Sequence, residues 1–114
     1  MIGIDIESIA RFEKLYSNKK RLLEKMFNKY EWEYALTKPN PSQTLTGIWC
    51  AKEAVLKAIY PSEEIFIKDI TIKHKKSGEP YVFLNFKQRE SKVIHISIAH
   101  AKEYATAVAL ITSM

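Results

Sequence analysis

The chain has 114 residues, 46% hydrophobic and 27% charged, with a formal charge of +5, a pI near 9.3 and a single cysteine. That length supports one domain able to bury about two-thirds of its unfolded surface, so a single domain over residues 1–114 is expected. Three glycines and four prolines exclude low complexity; one cysteine excludes an intramolecular disulfide and a Cys-based zinc site and agrees with a reducing compartment.

The longest uncharged stretch, Ala105 to Met114, is too short for a spanning helix, and the first residues lack the order of a signal peptide; a cytoplasmic protein without membrane contact is expected. Cys50 reads as a small buried or half-buried hydrophobe rather than a nucleophile. The positive charge predicts attraction to an anionic partner. Much of the excess falls in the first quarter, at Arg11, Lys14, Lys19, Lys20, Arg21, Lys25 and Lys29.

In chain order, Met1 to Glu7 alternates isoleucines at 2, 4 and 6 with Gly3, Asp5 and Glu7, the period of a half-buried strand with Asp5 on the face opposite the isoleucines. Ser8 can cap a short helix that buries Ile9, Phe12 and Leu15 or Tyr16 and turns Arg11 and Lys14 outward. Two more helical pieces are predicted, Lys20 to Phe27 and Asn28 to Leu36, the second opened by an Asn28 to Glu31 capping-box spacing. After Pro39 and Pro41, Ser42 is the predicted cap of a helix that runs to Ile59 and is stopped by Pro61. The period then switches to alternation. Asp69 to Lys75 and Tyr81 to Phe86 flank a turn at Ser77 to Pro80, and Val93 to Ala99 and Tyr104 to Ile111 flank His100 to Glu103. The expected class is α+β, a mainly antiparallel sheet packed on the long helix from Ser42 to Ile59.

One position in that helix is out of pattern. At about 100° per residue, Leu45, Ile48, Trp49, Val55, Leu56 and Ile59 fall within an arc of roughly 120°, and Lys52 lies inside it. Glu53 and Lys57 share one flank as an i, i+4 pair. Lys52 can snorkel and the pair can be an ordinary surface one, or the helix lines a cleft where a carboxylate and two ammoniums face a phosphate-bearing ligand and its metal. Asp5 favours the cleft, since a carboxylate amid a core-like strand needs a partner. Two carboxylates from different elements suit a hard divalent cation.

Gly3-Ile-Asp-Ile6, Gly47-Ile-Trp-Cys-Ala-Lys-Glu-Ala-Val-Leu-Lys-Ala58 and Ser97-Ile-Ala-His100 together resemble the phosphopantetheinyl transferases, and within them the short holo-acyl-carrier-protein synthases. Order, spacing and chain length all fit. The resemblance implies transfer of the 4′-phosphopantetheine arm of coenzyme A to a serine of an acidic apo-acyl carrier protein, releasing adenosine 3′,5′-bisphosphate. It implies Asp5 and Glu53 as ligands of Mg²⁺, Lys57 and His100 at the coenzyme A phosphates, and Arg11 on the carrier protein. Lys52 belongs to the catalytic motif without a settled role. Metal-bound water or hydroxide, Asp5, Glu53 and Lys52 are all candidates for the base that deprotonates the serine. The short members are homotrimers with active sites between subunits.

Three positions depart from the pattern. Ile48 stands where an arginine is usual, Ile59-Tyr-Pro61 where a Gly-Thr-Gly-like loop is usual, and Ala99 where the last motif often has a second serine. The first two bear on coenzyme A phosphate binding. The alternatives are a transferase serving a specialised polyketide or peptide synthase carrier domain, and a small nucleic-acid-binding domain using Lys73, Lys75, Lys76 and Lys87 beside Tyr81 and Phe83.

Overall fold

A computed structural model describes residues 1–60, 62–85 and 92–113. Strand β1 (Ile2–Ser8) leads into helices α1 (Ile9–Asn18), α2 (Lys20–Glu24), α3 (Lys29–Leu36) and α4 (Pro41–Ile59); a 3₁₀ turn at Ile67–Asp69 precedes β2 (Ile70–His74), β3 (Pro80–Leu84), β4 (Lys92–His100) and β5 (Tyr104–Ser113). The strands form two antiparallel ladders, β1-β5-β4 and β2-β3, where the alternation had suggested one sheet. The class is α+β with α4 at its centre, as expected. Among the described residues no helix is long and apolar enough to cross a membrane.

The local signals act mostly where they were read. Ser8 caps α1, its hydroxyl accepting from Arg11 N at 3.4 Å, and Ile9 and Phe12 are buried. The predicted Lys20–Phe27 helix ends at Glu24, because the Met26 and Phe27 amides reach only three residues back, to Leu23 O and Glu24 O, and tighten the chain before Asn28. Glu31 Oε1 accepts from the Asn28 amide at 2.8 Å, the reach-back half of the capping box. Helix α4 is capped two residues earlier than expected: Asn40, not Ser42, is the cap, its side chain accepting from Gln43 N, and Pro41, which has no amide to leave unpaired, occupies the first position. The β2-β3 turn closes through Lys75 N to Glu79 O, with Gly78 at φ 91, a conformation that costs glycine little. Pro61, Phe86 and Lys87, which entered the expectations above, lie outside the described residues.

Helix α4 is buried on two sides, of which the sequence pattern displayed one. The arc from Leu45 to Ile59 packs against the α1, α3 and β2 layer, while Gly47, Cys50, Ala51, Ala54 and Ala58 face the three-stranded sheet, whose inward β5 residues are Ala105, Ala107 and Ala109. Small side chains on both surfaces let helix and sheet approach closely: a Cβ on Gly3 would collide with the Ala54 carbonyl, and one on Gly47 would press on the Ile98 side chain. The close approach also sets the sense of β1. Gly3, Asp5 and Glu7 turn inward, toward α4, and Ile2, Ile4 and Ile6 turn outward, 68, 65 and 62% exposed. The usual sense of such an alternation, apolar in and polar out, is thus reversed in the isolated chain. The outer face continues on β5 and β4 with exposed Leu110 and Val93.

Candidate active site

The reversed sense of β1 brings a carboxylate to the helix. Asp5 Oδ1 accepts from Lys57 Nζ at 3.1 Å, and the same ammonium donates to the Ile4 carbonyl at 3.1 Å. The Asp5 backbone is pinned in turn, its carbonyl accepting from Thr106 Oγ1 at 2.8 Å. Its second oxygen, Oδ2, is buried with no hydrogen-bond partner among the described residues. Glu53, one turn before Lys57, stands half-buried beside it. Burial, then the Asp5 charge, raises the Glu53 carboxyl above its usual range, against the opposing pull of Lys57; Glu7 adds to the rise. The expected Glu53–Lys57 surface pair is therefore rearranged: Lys57 is paired with Asp5, and Glu53 contributes charge to the same small region. Among the described residues no group of three or more His, Cys, Asp or Glu side chains is gathered as a complete metal cage.

Cys50 lies under this acidic face, its thiol donating to Ala105 O at 3.3 Å. Burial first, then the Asp5 and Glu7 charges, pushes it up to about 12, which suits an inert packing residue and not a nucleophile. Glu7, which motif reasoning passed over, shares the inward face with Asp5 and is held by Arg11 Nη1 at 2.7 Å. Its signal was present in the alternation, two residues after Asp5. Arg11 is itself exposed, on the rim of a groove along α1 that also takes in Ser8, Lys14, Leu15, Asn18 and Lys19.

Lys52 is elsewhere. Neither the snorkelling expected of it nor a place beside Lys57 in a cleft is met, because it is fully buried and its ammonium lies 2.7 Å from Glu31 Oε1. Glu31 Oε1 also accepts from Asn28 N and Oε2 from Ile72 N at 2.8 Å, so the pair ties α4 to α3 and β2. A neighbouring carboxylate with backbone donors already aimed at it makes the interior a better destination for the ammonium than the surface. Burial pulls the Lys52 pKa down, and Glu31 opposes that pull.

His100 is not brought to Asp5 either. Its Nδ1 lies 2.9 Å from Gln43 Nε2, and it stands on β4 in register with Glu7, across β5, rather than in contact with Asp5. Ile48, at the position of the missing arginine, is 1% exposed and belongs to the core.

An acidic pair and an ammonium on a Lys-Glu-Ala-x-x-Lys helix packed against a Gly-Ile-Asp strand define the class. Residues 1–109 match the model of the 4′-phosphopantetheinyl transferase superfamily, and the chain belongs to that superfamily. Its curated relatives include the holo-[acyl-carrier-protein] synthases of Treponema denticola, 38% identical over 96% of this chain and 95% of the relative, and of Chlamydia caviae, 39% identical over 96% and 93%. Among solved structures, the Helicobacter pylori synthase in complex with coenzyme A superimposes with a TM-score of 0.78 at 29% identity, covering 98% of this chain and 100% of that one. The Bacillus anthracis synthase, in complex with coenzyme A (3′,5′-ADP), gives 0.81 at 26% over 99% and 96%. Within the superfamily the chain falls among the holo-acyl-carrier-protein synthases.

Proposed function

We infer that this protein transfers the 4′-phosphopantetheine group of coenzyme A to a serine of an apo-acyl carrier protein, leaving adenosine 3′,5′-bisphosphate. The observation that carries the reading is the meeting of Asp5, Glu53 and Lys57 at the contact of β1 and α4, with one Asp5 oxygen buried and without a hydrogen-bond partner among the described residues. A buried carboxylate oxygen without a donor is costly, and a divalent cation would satisfy it. Two protein carboxylates also suit Mg²⁺, which keeps most of its positions for water and phosphate oxygens. Asp5 and Glu53 are the residues that would hold the ion; bound there, it supplies Lewis-acid neutralisation of the pyrophosphate leaving group. Lys57 adds a cation at the same edge and orients phosphate. Burial first, and then the Asp5 charge, raises the proton affinity of Glu53 while no cation is bound.

The carrier serine is expected to approach over α1. Arg11, Lys14 and Lys19 line one groove there, and attraction to an acidic carrier helix would raise the association rate in a salt-dependent way. The exposed Ile2, Ile4 and Ile6, continued by Leu110, favour a homotrimer in which this face is covered. An assembly with sites between subunits also suits a His100 that contacts Gln43 and not Asp5 on one chain. A cytoplasmic location accords with such a carrier and with an unpaired buried cysteine.

The test is to incubate the protein with coenzyme A, Mg²⁺ and an apo-acyl carrier protein and weigh the carrier. A gain of one phosphopantetheine mass is expected, dependent on Mg²⁺ and abolished by chelation. No gain on a carrier that another synthase modifies would refute the reading.

A further inference from the structure

The outer face of the three-stranded sheet carries an imidazole among uncharged side chains. The alanines of β5 and Ile94, Ile96 and Ile98 of β4 turn to the core, so the alternate residues of both strands point away from it. The registers of β1 on β5 and of β5 on β4 then place Ile2, Leu110 and His95 in one cross-strand row, and Ile4, Val108 and Ser97 in the next. Ile2, Leu110 and His95 are all exposed. Among the described residues no Asp, Glu, Lys or Arg occupies an outward position on these strands, and His95 is their one outward imidazole.

The surroundings of His95 are poorly suited to a positive charge. Thr112 Oγ1, on β5, is 3.5 Å from its Nε2, a long contact with a neutral hydroxyl. Across the ladder stand Leu110 and, beyond it, Ile2. The charged groups near this end of the sheet are the Met1 ammonium, a further cation, which donates to Ile111 O, and Lys92 and Glu63, which border a gap with Ile59 and Ile111 on the core side. A second copy of the chain is the occupant this face fits. The molecule carries +5 overall, so copies approach best through a surface without fixed charge, whereas an acidic carrier is drawn to Arg11, Lys14 and Lys19 on α1. While the imidazole is neutral the row can be covered as an apolar patch. Once it is protonated, covering it buries a charge without a partner. We propose that His95 makes self-association through this face pH-dependent, the subunits joining when the imidazole is neutral and separating as it takes a proton. The proposal rests on the homotrimer reading above and gives that assembly its regulation.

Two substitutions fix the charge at either limit: His95→Gln is neutral at every pH and His95→Arg is charged at every pH. Sedimentation velocity over a range of protein concentrations at pH 7.5, 6.5 and 5.5, at constant ionic strength, measures association, and circular dichroism at each pH confirms that the chain stays folded. The wild-type dissociation constant is expected to rise by at least about tenfold between pH 7.5 and 5.5, the effect of one linked proton per subunit. His95→Gln should keep its pH 7.5 association throughout, and His95→Arg should be monomeric throughout with an unchanged spectrum. A wild type that associates equally at pH 7.5 and 5.5, a His95→Gln variant as pH-dependent as the wild type, or an associated His95→Arg would overturn the proposal while the homotrimer reading stands. A wild type that is monomeric at every pH would overturn that reading as well.

Discussion

Helix α4 holds two lysine–carboxylate pairs, and they differ in everything except chemistry. Lys52 and Glu31 are fully buried, and each Glu31 oxygen accepts from a backbone amide, one of them from the ammonium as well. Lys57 and Asp5 sit at an edge, the lysine half-exposed, one carboxylate oxygen without a donor, and further carboxylates at Glu53 and Glu7 close enough to shift a pKa. The first pair is complete and needs nothing more. The second sets Asp5 and Glu53 against one ammonium, Glu7 being held by Arg11, an arrangement of the kind found at ligand sites. Completeness of the polar contacts, and not the presence of charge, separates the lysine of the buried pair from the one proposed above to meet phosphate.

The comparison can be broken most forcefully at Lys52. Lys52→Met leaves the Glu31 carboxylate buried without its ammonium and is expected to cost about 3–5 kcal/mol in denaturant unfolding. The double substitution Lys52→Met with Glu31→Gln should recover much of that loss. A single variant that is nearly neutral, but catalytically dead, would return Lys52 to the active site. At the other pair the effects should exchange. Glu53→Gln and Asp5→Asn are expected to abolish carrier modification while the unfolding free energy moves by no more than about 1 kcal/mol, the scale of a partly exposed ion pair. Near-normal turnover in either variant would remove that carboxylate from the proposed metal site.

A smaller effect reports on the charge stored between the two pairs. Cys50 has its pKa raised from the ordinary 9 to about 12 in the folded chain. Between those values the folded state keeps a proton that the unfolded state loses, so stability should fall as pH rises. The slope is at most about 1.4 kcal/mol per pH unit. Comparing urea unfolding of the wild type and Cys50→Ala from pH 8 to 11 isolates it: the variant should show a shallower decline, and parallel curves would contradict the buried thiol. The smallest effect belongs to the rim. Arg11→Glu should raise KM for the carrier severalfold and weaken its salt dependence, leaving KM for coenzyme A unchanged; equal loss for both substrates would contradict a carrier-binding role.

Much of the fold was legible because its signals are local. The Ser8 cap, the Asn28 to Glu31 spacing, the change of period after Pro61 and the Gly78 turn each act within a few residues. The candidate site was legible in part for a different reason, since three motifs in order carry the family's chemistry whatever their packing. Asp5, Glu53 and Lys57 do converge. What the motifs did not convey was which lysine belongs with them, because Lys52 is directed by Glu31, 21 positions earlier, and by an amide on β2 that no local pattern connects to it.

The sequence by itself determined the element types, the family and the residue types available to bind metal and phosphate. Only the tertiary structure decided the sense of β1, the fate of Lys52 and the company of His100. In each case the reason is a contact between residues far apart in the sequence. The small residues of α4 and β5 allow an approach so close that only Gly3, on the inward face of β1, can pass Ala54. That contact turns Asp5 toward Lys57 and the isoleucines toward solvent. Lys52 is drawn inward by Glu31 from α3, and His100 on β4 is met by Gln43 from the start of α4.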